Sequence, residues 1–208
     1  MFKDRFDAAE QLAEKLSNYK DNKDVIILAI PRGALEIGYV LAKKLNAPLD
    51  IAFSKKIGAP EEPEFAIGAV GLQTEFVNEP YKKIISAYIQ DQIKIIRQNL
   101  KARYFKYKGD EKPLSLKDKI VIIVDDGIAT GTTMLLTIKL VKMENPQKII
   151  VAVPVAPKMA IEKITKEVDE IICLDTPEFF FGISQFYQRF PQVEDDQAIK
   201  LLHEANKK

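Results

Sequence analysis

The run Val121–Thr133, VIIVDDGIATGTT, constrains this chain more than any other stretch. Its four consecutive β-branched residues, Val121 to Val124, read as a short strand buried on both faces, of the kind found inside a parallel sheet. Two carboxylates, Asp125 and Asp126, follow at once. A core strand has reason to end in paired acids where its carboxyl end opens on a polar crevice, the edge at which open α/β sheets bind ligands. Ala129, Thr130, Gly131, Thr132 and Thr133 then lead into the helical run MLLTIKLVKM, so small residues and free N–H groups gather at a helix amino terminus with its positive dipole end. Gly131 permits close approach and the threonine hydroxyls add donors. The result is a hydroxyl-binding acidic pair beside an anion cradle. A ribose 5-phosphate spans that distance, its 2- and 3-hydroxyls on Asp125 and Asp126 and its phosphate on residues 129–133. The plainer alternative is a Thr- and Gly-rich helix cap with solvated acids. Neither G-x-x-x-x-G-K-[ST] nor G-x-G-x-x-G occurs, so the motifs of P-loop and dinucleotide sites are absent.

A second strand, VIILAI at 25–30, ends in Pro31-Arg32-Gly33-Ala34 before the helical pattern LEIGYVLAKKL. Strand, glycine turn and helix again make an anion site, here with the Arg32 guanidinium, a combination suited to a pyrophosphate. LDIAF at 49–53 is a third buried strand. The SKKIGAPEEPE that follows, with two lysines, a glycine and two prolines, reads as a mobile loop. Lys55 and Lys56 are either solvated loop charge or, lying at the same sheet edge as the other motifs, contacts to a leaving group. Residues 65–77, FAIGAVGLQTEFV, alternate as a β-hairpin arm. Phe6, Ala9, Leu12, Ala13 and Leu16 predict an amphipathic helix over 4–19, and the apolar spacing from Tyr81 to Lys108 predicts a long surface helix. KIIVAVPVAP, IEKITKEV and EIICLD supply a strand, a helix and a last strand. Five strands alternating with helices imply an open, right-handed, doubly wound parallel sheet in a single domain over 1–208, without repeat or linker.

The 31 basic residues nearly cancel the 30 acidic ones, so the net charge of +1 argues against a surface that coats nucleic acid, including an RNA-binding face on the 81–108 helix. The single Cys173, inside EIICL, reads as a buried small hydrophobe rather than a nucleophile. With no disulfide framework, an amino terminus lacking a signal-like apolar core and no run of bilayer length, the expectation is a soluble cytoplasmic protein with no membrane partner. His203 reads as exposed and inert. The tail PEFFFGISQFYQRFPQ is dense in aromatics that must cover something, and residues 194–206 read as a closing helix.

The thirteen residues 121–133 closely resemble the phosphoribosyl pyrophosphate (PRPP) signature of the type I phosphoribosyltransferases: a hydrophobic strand, two acids, a variable triplet and T-G-x-T. The Arg32-Gly33-Ala34 turn resembles the pyrophosphate loop of the same enzymes, with Ala34 where a second glycine is frequent. The resemblance implies a cis peptide between Pro31 and Arg32, a core at about 20–175, and a base-receiving hood from about 1–19 and 176–208. It also puts the flexible catalytic loop near the arm, where Glu64 and Gly68 lie. Along the whole length, the FKDRF start, AIPRGA, PLDIAFSKKIGAPEEPEFAIGAV, DDGIATGTTM and FYQRF look most like a group of predicted phosphoribosyltransferases with unassigned acceptor.

The implied reaction displaces pyrophosphate from PRPP by a ring nitrogen of a small heterocyclic base, with Mg²⁺ on the pyrophosphate and ribose hydroxyls. Arg32 and Lys55 or Lys56 would assist the leaving group, and Asp125 and Asp126 would hold the ribose directly or through metal-bound water. In the hood, Phe180, Phe181 and Tyr187 are the expected base contacts. Hypoxanthine-guanine enzymes usually carry an Asp where this chain has Ala129, which argues against that class and leaves adenine-like, orotate-like or unusual acceptors. Arg189 is the one cation among the tail aromatics, which favours a neutral base. A homodimer is expected because dimers are common in the family. The rival reading is a PRPP- or nucleotide-sensing regulator that keeps the fold without turnover.

Overall fold

The computed structural model describes residues 1–207. In chain order it consists of α1 (Arg5–Lys15), β1 (Val25–Ala29), α2 (Ala34–Leu45), β2 (Leu49–Ile51), β3 (Ser54–Gly58), β4 (Ala66–Gly71), β5 (Glu75–Val77), α3 (Glu79–Ile84), α4 (Ser86–Lys108), β6 (Ile120–Val124), α5 (Thr132–Lys142), β7 (Lys148–Val155), α6 (Lys158–Thr165), β8 (Glu170–Asp175) and α7 (Asp195–Asn206). The five apolar strands form one parallel sheet in the order β2-β1-β6-β7-β8. Alternate side chains face opposite layers: Val25, Ile27, Ile122 and Ile150 pack with α1, α2, α4 and α7, whereas Ile26, Val121, Ile123 and Val151 pack with α5 and α6. Both faces are covered, which is why these strands read as unbroken apolar runs. The doubly wound sheet predicted from sequence is the sheet observed.

Residues 54–58 depart from the expected mobile loop. They form β3, paired antiparallel to β4; β4 and β5 are the predicted hairpin, and β3 extends it to a three-stranded sheet. Lys55 and Lys56 hid this strand, because its apolar anchor, Ile57, is a single fully buried residue and its stability comes from ladder bonds to β4. The predicted helix from 81 to 108 is likewise divided at Ile85 (φ −130°, ψ 41°) into α3 and α4.

The turns after β1 and β6 lie side by side at the carboxyl edge of the sheet, since Ala29 pairs with Val124 and Ile30 N–H donates to the Val124 carbonyl at 3.1 Å. The first residues of the chain and the segment 186–189 meet above this edge. Phe2 N–H donates to Phe186 O (2.8 Å), Gln188 N–H to Phe2 O (2.9 Å) and Arg189 N–H to Lys3 O (3.0 Å). Phe2, Ala8, Val155 and Tyr187 form the small core of this hood, with Phe180, Ile183, Phe186 and Phe190 against them. Among the described residues no helix is long and apolar enough to cross a membrane.

Candidate active site

Two acids stand where the buried run Val121–Val124 of β6 ends. The Asp126 N–H donates to Asp125 Oδ1 at 2.8 Å, folding the first carboxyl back over the turn. Burial, and then the neighbouring charge of Asp126, raise the Asp125 carboxyl well above its ordinary range, with the Arg5 charge acting in the opposite sense.

Asp126 is held from three sides. Arg5 Nε donates to its Oδ2 at 2.7 Å. Tyr187 donates its hydroxyl to the Asp126 carbonyl at 2.7 Å, and burial drives that phenol upward. Gly33 lies beneath the carboxylate so closely that a Cβ there would sit 2.1 Å from Oδ2 and 2.9 Å from Arg5 Nε. Position 33 therefore excludes any side chain.

Arg5 is 4% exposed. Its Nη1 donates to Pro191 O (2.8 Å) and reaches Glu36 Oε2 (3.4 Å), and its guanidinium lies 3.7 Å from the centroid of the Phe190 ring. Glu36, also buried, accepts from Gln197 Nε2 at 2.8 Å; burial raises its carboxyl while Arg5 opposes the shift. Arg5, Glu36 and Gln197 were not among the residues singled out from sequence. One signal was present: Arg5 stands at helical spacing from Ala8, Ala9 and Leu12, on the stripe that α1 buries, whereas the expected Phe6 is 38% exposed.

The 129–133 turn has the opposite character. Ala129, Thr130, Thr132 and Thr133 are exposed. Gly131 takes the left-handed conformation (φ 82°) that starts α5, and no side chain caps that helix end. Its contacts are internal and slight: Thr130 Oγ1 lies 3.2 Å from Thr132 Oγ1, and the Thr132 N–H reaches Thr130 Oγ1 at 3.4 Å. Such a turn leaves helix-end amides and hydroxyls open to an anion.

Arg32 follows a cis peptide at Pro31–Arg32, as the resemblance implied. Its Nη1 donates to Glu194 Oε2 at 3.3 Å and lies 3.8 Å from Asp195 Oδ1, so the start of α7 engages the guanidinium. Ala34, fully buried, opens α2. Lys56 is committed within the arm, its Nζ donating to the Glu64 carboxylate (2.8 Å) and carbonyl (3.0 Å), which draws the Glu64 carboxyl below its usual range. Lys55 is exposed on β3 and forms no ion pair among the described residues. Of the expected base contacts, Phe181 is open at 91% exposure, and Phe180 stacks on Phe186 with centroids 5.4 Å apart. Tyr187 is a correction: its ring lies between Phe2 (5.4 Å) and Phe190 (4.8 Å), so it is a strut joining hood to floor and presents no open face. Cys173 is partly covered and burial pushes its thiol up to about 11, the behaviour of an inert thiol.

Residues 2–188 match the phosphoribosyl transferase domain family, and the chain belongs to that family. Across its whole length it is 33% identical, over 213 residues, to the Mycobacterium tuberculosis protein named "Putative phosphoribosyl transferase Rv0571c". The chain spans 47% of that protein, about half its length. The crystal structure of the TT1426 protein from Thermus thermophilus superposes with a TM-score of 0.87 at 31% identity, covering 97% of each chain. The AQ2163 protein from Aquifex aeolicus shares the fold at 14% identity, with a TM-score of 0.50 over 83% of this chain and 74% of that one.

Proposed function

We propose that this domain transfers the phosphoribosyl group of PRPP to a ring nitrogen of a small heterocyclic base, with release of pyrophosphate. One observation carries the reading. The acidic pair, the open amino terminus of α5 and the Arg32 turn share one sheet edge, with Asp126 Oδ2 lying directly over Gly33. A molecule bearing a 5-phosphate, two ribose hydroxyls and a diphosphate has a matching group for each.

In this reading the residues at 129–133 bind the phosphate, Asp126 and Asp125 accept the ribose hydroxyls, and Gly33, Ala34 and Arg32 face the diphosphate. Catalysis then rests on holding the reacting atoms in place and on opposing the negative charge that grows on the leaving group. The donor set fits Mg²⁺ delivered with the substrate. The diphosphate and ribose hydroxyls would hold the ion, with Asp125 and Asp126 meeting it through water. When bound, the ion would neutralise leaving-group charge. Arg32 must leave Glu194 to do the same from the protein side, and the exposed Lys55 is the arm's available cation. The alanine at 129 and the aromatic hood suit a neutral ring, for which Phe181 offers the open face. Such a reaction belongs in the cytoplasm, with a second copy of the chain as the expected assembly partner.

The test is pyrophosphate release from PRPP and Mg²⁺ across a panel of purine, pyrimidine and unusual bases, with Asp126→Asn as the blank. Base-dependent release that the blank lacks would establish the transferase and identify its acceptor. Tight binding of PRPP with no release from any base would instead favour the sensing regulator, a reading that the resting engagement of Arg32 by Glu194 also suits.

A further inference from the structure

We propose that Arg5 is a positioning residue for the ribose subsite, presetting the orientation of the Asp126 carboxylate before substrate arrives. The inference rests on the phosphoribosyl reading above and deepens it at one carboxylate. Arg5 comes from the first turn of α1, 121 residues away from Asp126 in the chain. It nevertheless supplies that carboxylate with a 2.7 Å charge-assisted bond inside the fold.

Stability is a poor reason for an arginine at this place. Removing a guanidinium from water is costly, and apolar groups of similar volume commonly replace buried ion pairs without loss. One side of the surroundings suits that alternative, since the Phe190 ring lies on the guanidinium. What an apolar side chain cannot do is donate in three directions at once. Nε takes Asp126, Nη1 takes Pro191 O and approaches Glu36, and the ring of Phe190 covers one face. A planar fork fixed in this way has one orientation, and so does the carboxylate it holds. Gly33 below and Tyr187 on the carbonyl complete the arrangement. Arg5 also opposes the repulsion between the adjacent carboxyls of Asp125 and Asp126. An acid oriented in advance loses less freedom on binding a hydroxyl, which is the means by which residues behind a site act through the residues in front.

The experiment measures ribose 5-phosphate and pyrophosphate binding by calorimetry for the wild type, Arg5→Gln, Arg5→Lys, Asp126→Asn and the Arg5→Gln/Asp126→Asn double variant. Arg5→Gln is expected to weaken ribose 5-phosphate by about 10- to 100-fold, the range found for residues that orient a ligating group. Pyrophosphate, held by the Arg32 turn, should change by less than about twofold, and the double variant should bind no worse than Asp126→Asn alone. Equal losses for both ligands, or losses that add in the double variant, would overturn the positioning role. Should Arg5→Gln fail to fold, Arg5→Lys decides. It keeps the charge without the fork, so wild-type ribose 5-phosphate affinity in that variant also overturns the proposal, and an intermediate loss supports it. A wild type that binds neither ribose 5-phosphate nor pyrophosphate removes the phosphoribosyl reading and this inference with it. Wild-type binding that is indifferent to Arg5 removes this inference alone.

Discussion

The two halves of the site solve the problem of polar groups in opposite ways. At 129–133 the hydroxyls and helix-end amides face solvent and bond weakly to one another. At Asp126 the carboxylate and the charges behind it are met by distant parts of the chain: Arg5 from α1, Glu36 from α2, Gln197 from α7. The cradle is a local device that one turn and one helix suffice to build. The acidic half is a convergence of four segments, and it couples the ribose subsite to the integrity of the hood.

The sharpest way to break this contrast is by substitution at its two poles. Asp126→Ala removes the acceptor of the buried Arg5 Nε and leaves Glu36 as the one carboxylate beside that guanidinium, so unfolding in denaturant should show a loss of about 3 kcal/mol. Thr130→Ala, exposed in the cradle, should stay within about 0.5 kcal/mol of the wild type while weakening phosphate binding. Comparable stability losses at both positions would show that the cradle is as deeply built in as the acids.

The two glycines extend the comparison. Gly33→Ala forces a Cβ to 2.1 Å from a carboxylate that cannot swing away, and overpacking of this kind costs roughly 1–3 kcal/mol. Gly131→Ala meets nothing closer than 3.7 Å, so its cost is the left-handed backbone alone, about 1–2 kcal/mol. Thermal melts rank them, and Gly33→Ala should also lower ribose 5-phosphate affinity.

Acidity should separate the halves too. The Asp125 carboxyl is displaced upward, by burial first and by Asp126 second. An acid displaced upward contributes stability that is complete at and below its ordinary range near about 4, and loses it as pH rises through the displaced value. Asp125→Asn, which cannot ionise, should therefore gain on the wild type in Tm as pH rises from acid to neutral, in metal-free buffer. Parallel Tm profiles for the two proteins would contradict that shift, and Thr132→Ala should leave the profile unchanged.

The smallest effect is expected at Glu194. Its pair with Arg32 is largely solvated, worth about 0.2–1 kcal/mol, so Glu194→Gln should tighten pyrophosphate binding by up to roughly fivefold. Weaker binding would mean that Glu194 supports the Arg32 turn rather than competing for it.

The legible parts of this protein were those with local causes. The central strands announced themselves because both faces of each are buried, and the anion turn because glycine, threonines and a helix start are consecutive in the chain. The positions of Asp125 and Asp126 followed, since a strand's end is defined by the strand. Strand β3 was missed because ladder bonds from β4, not its own side chains, hold it, and the break at Ile85 left the apolar spacing intact. Arg5 was missed because a charge on a helix reads as solvated unless its partners are known, and those partners lie 31, 121 and 186 residues further along. Tyr187 was misread for the same reason, as its place depended on Phe2 and Phe190 rather than on its neighbours in sequence alone. By itself the sequence determined the sheet, its ligand-binding edge and the residue types waiting there. Only the tertiary structure decided which charges face one another, because pairing energy depends on distance and burial, and neither is set by the spacing of residues along the chain.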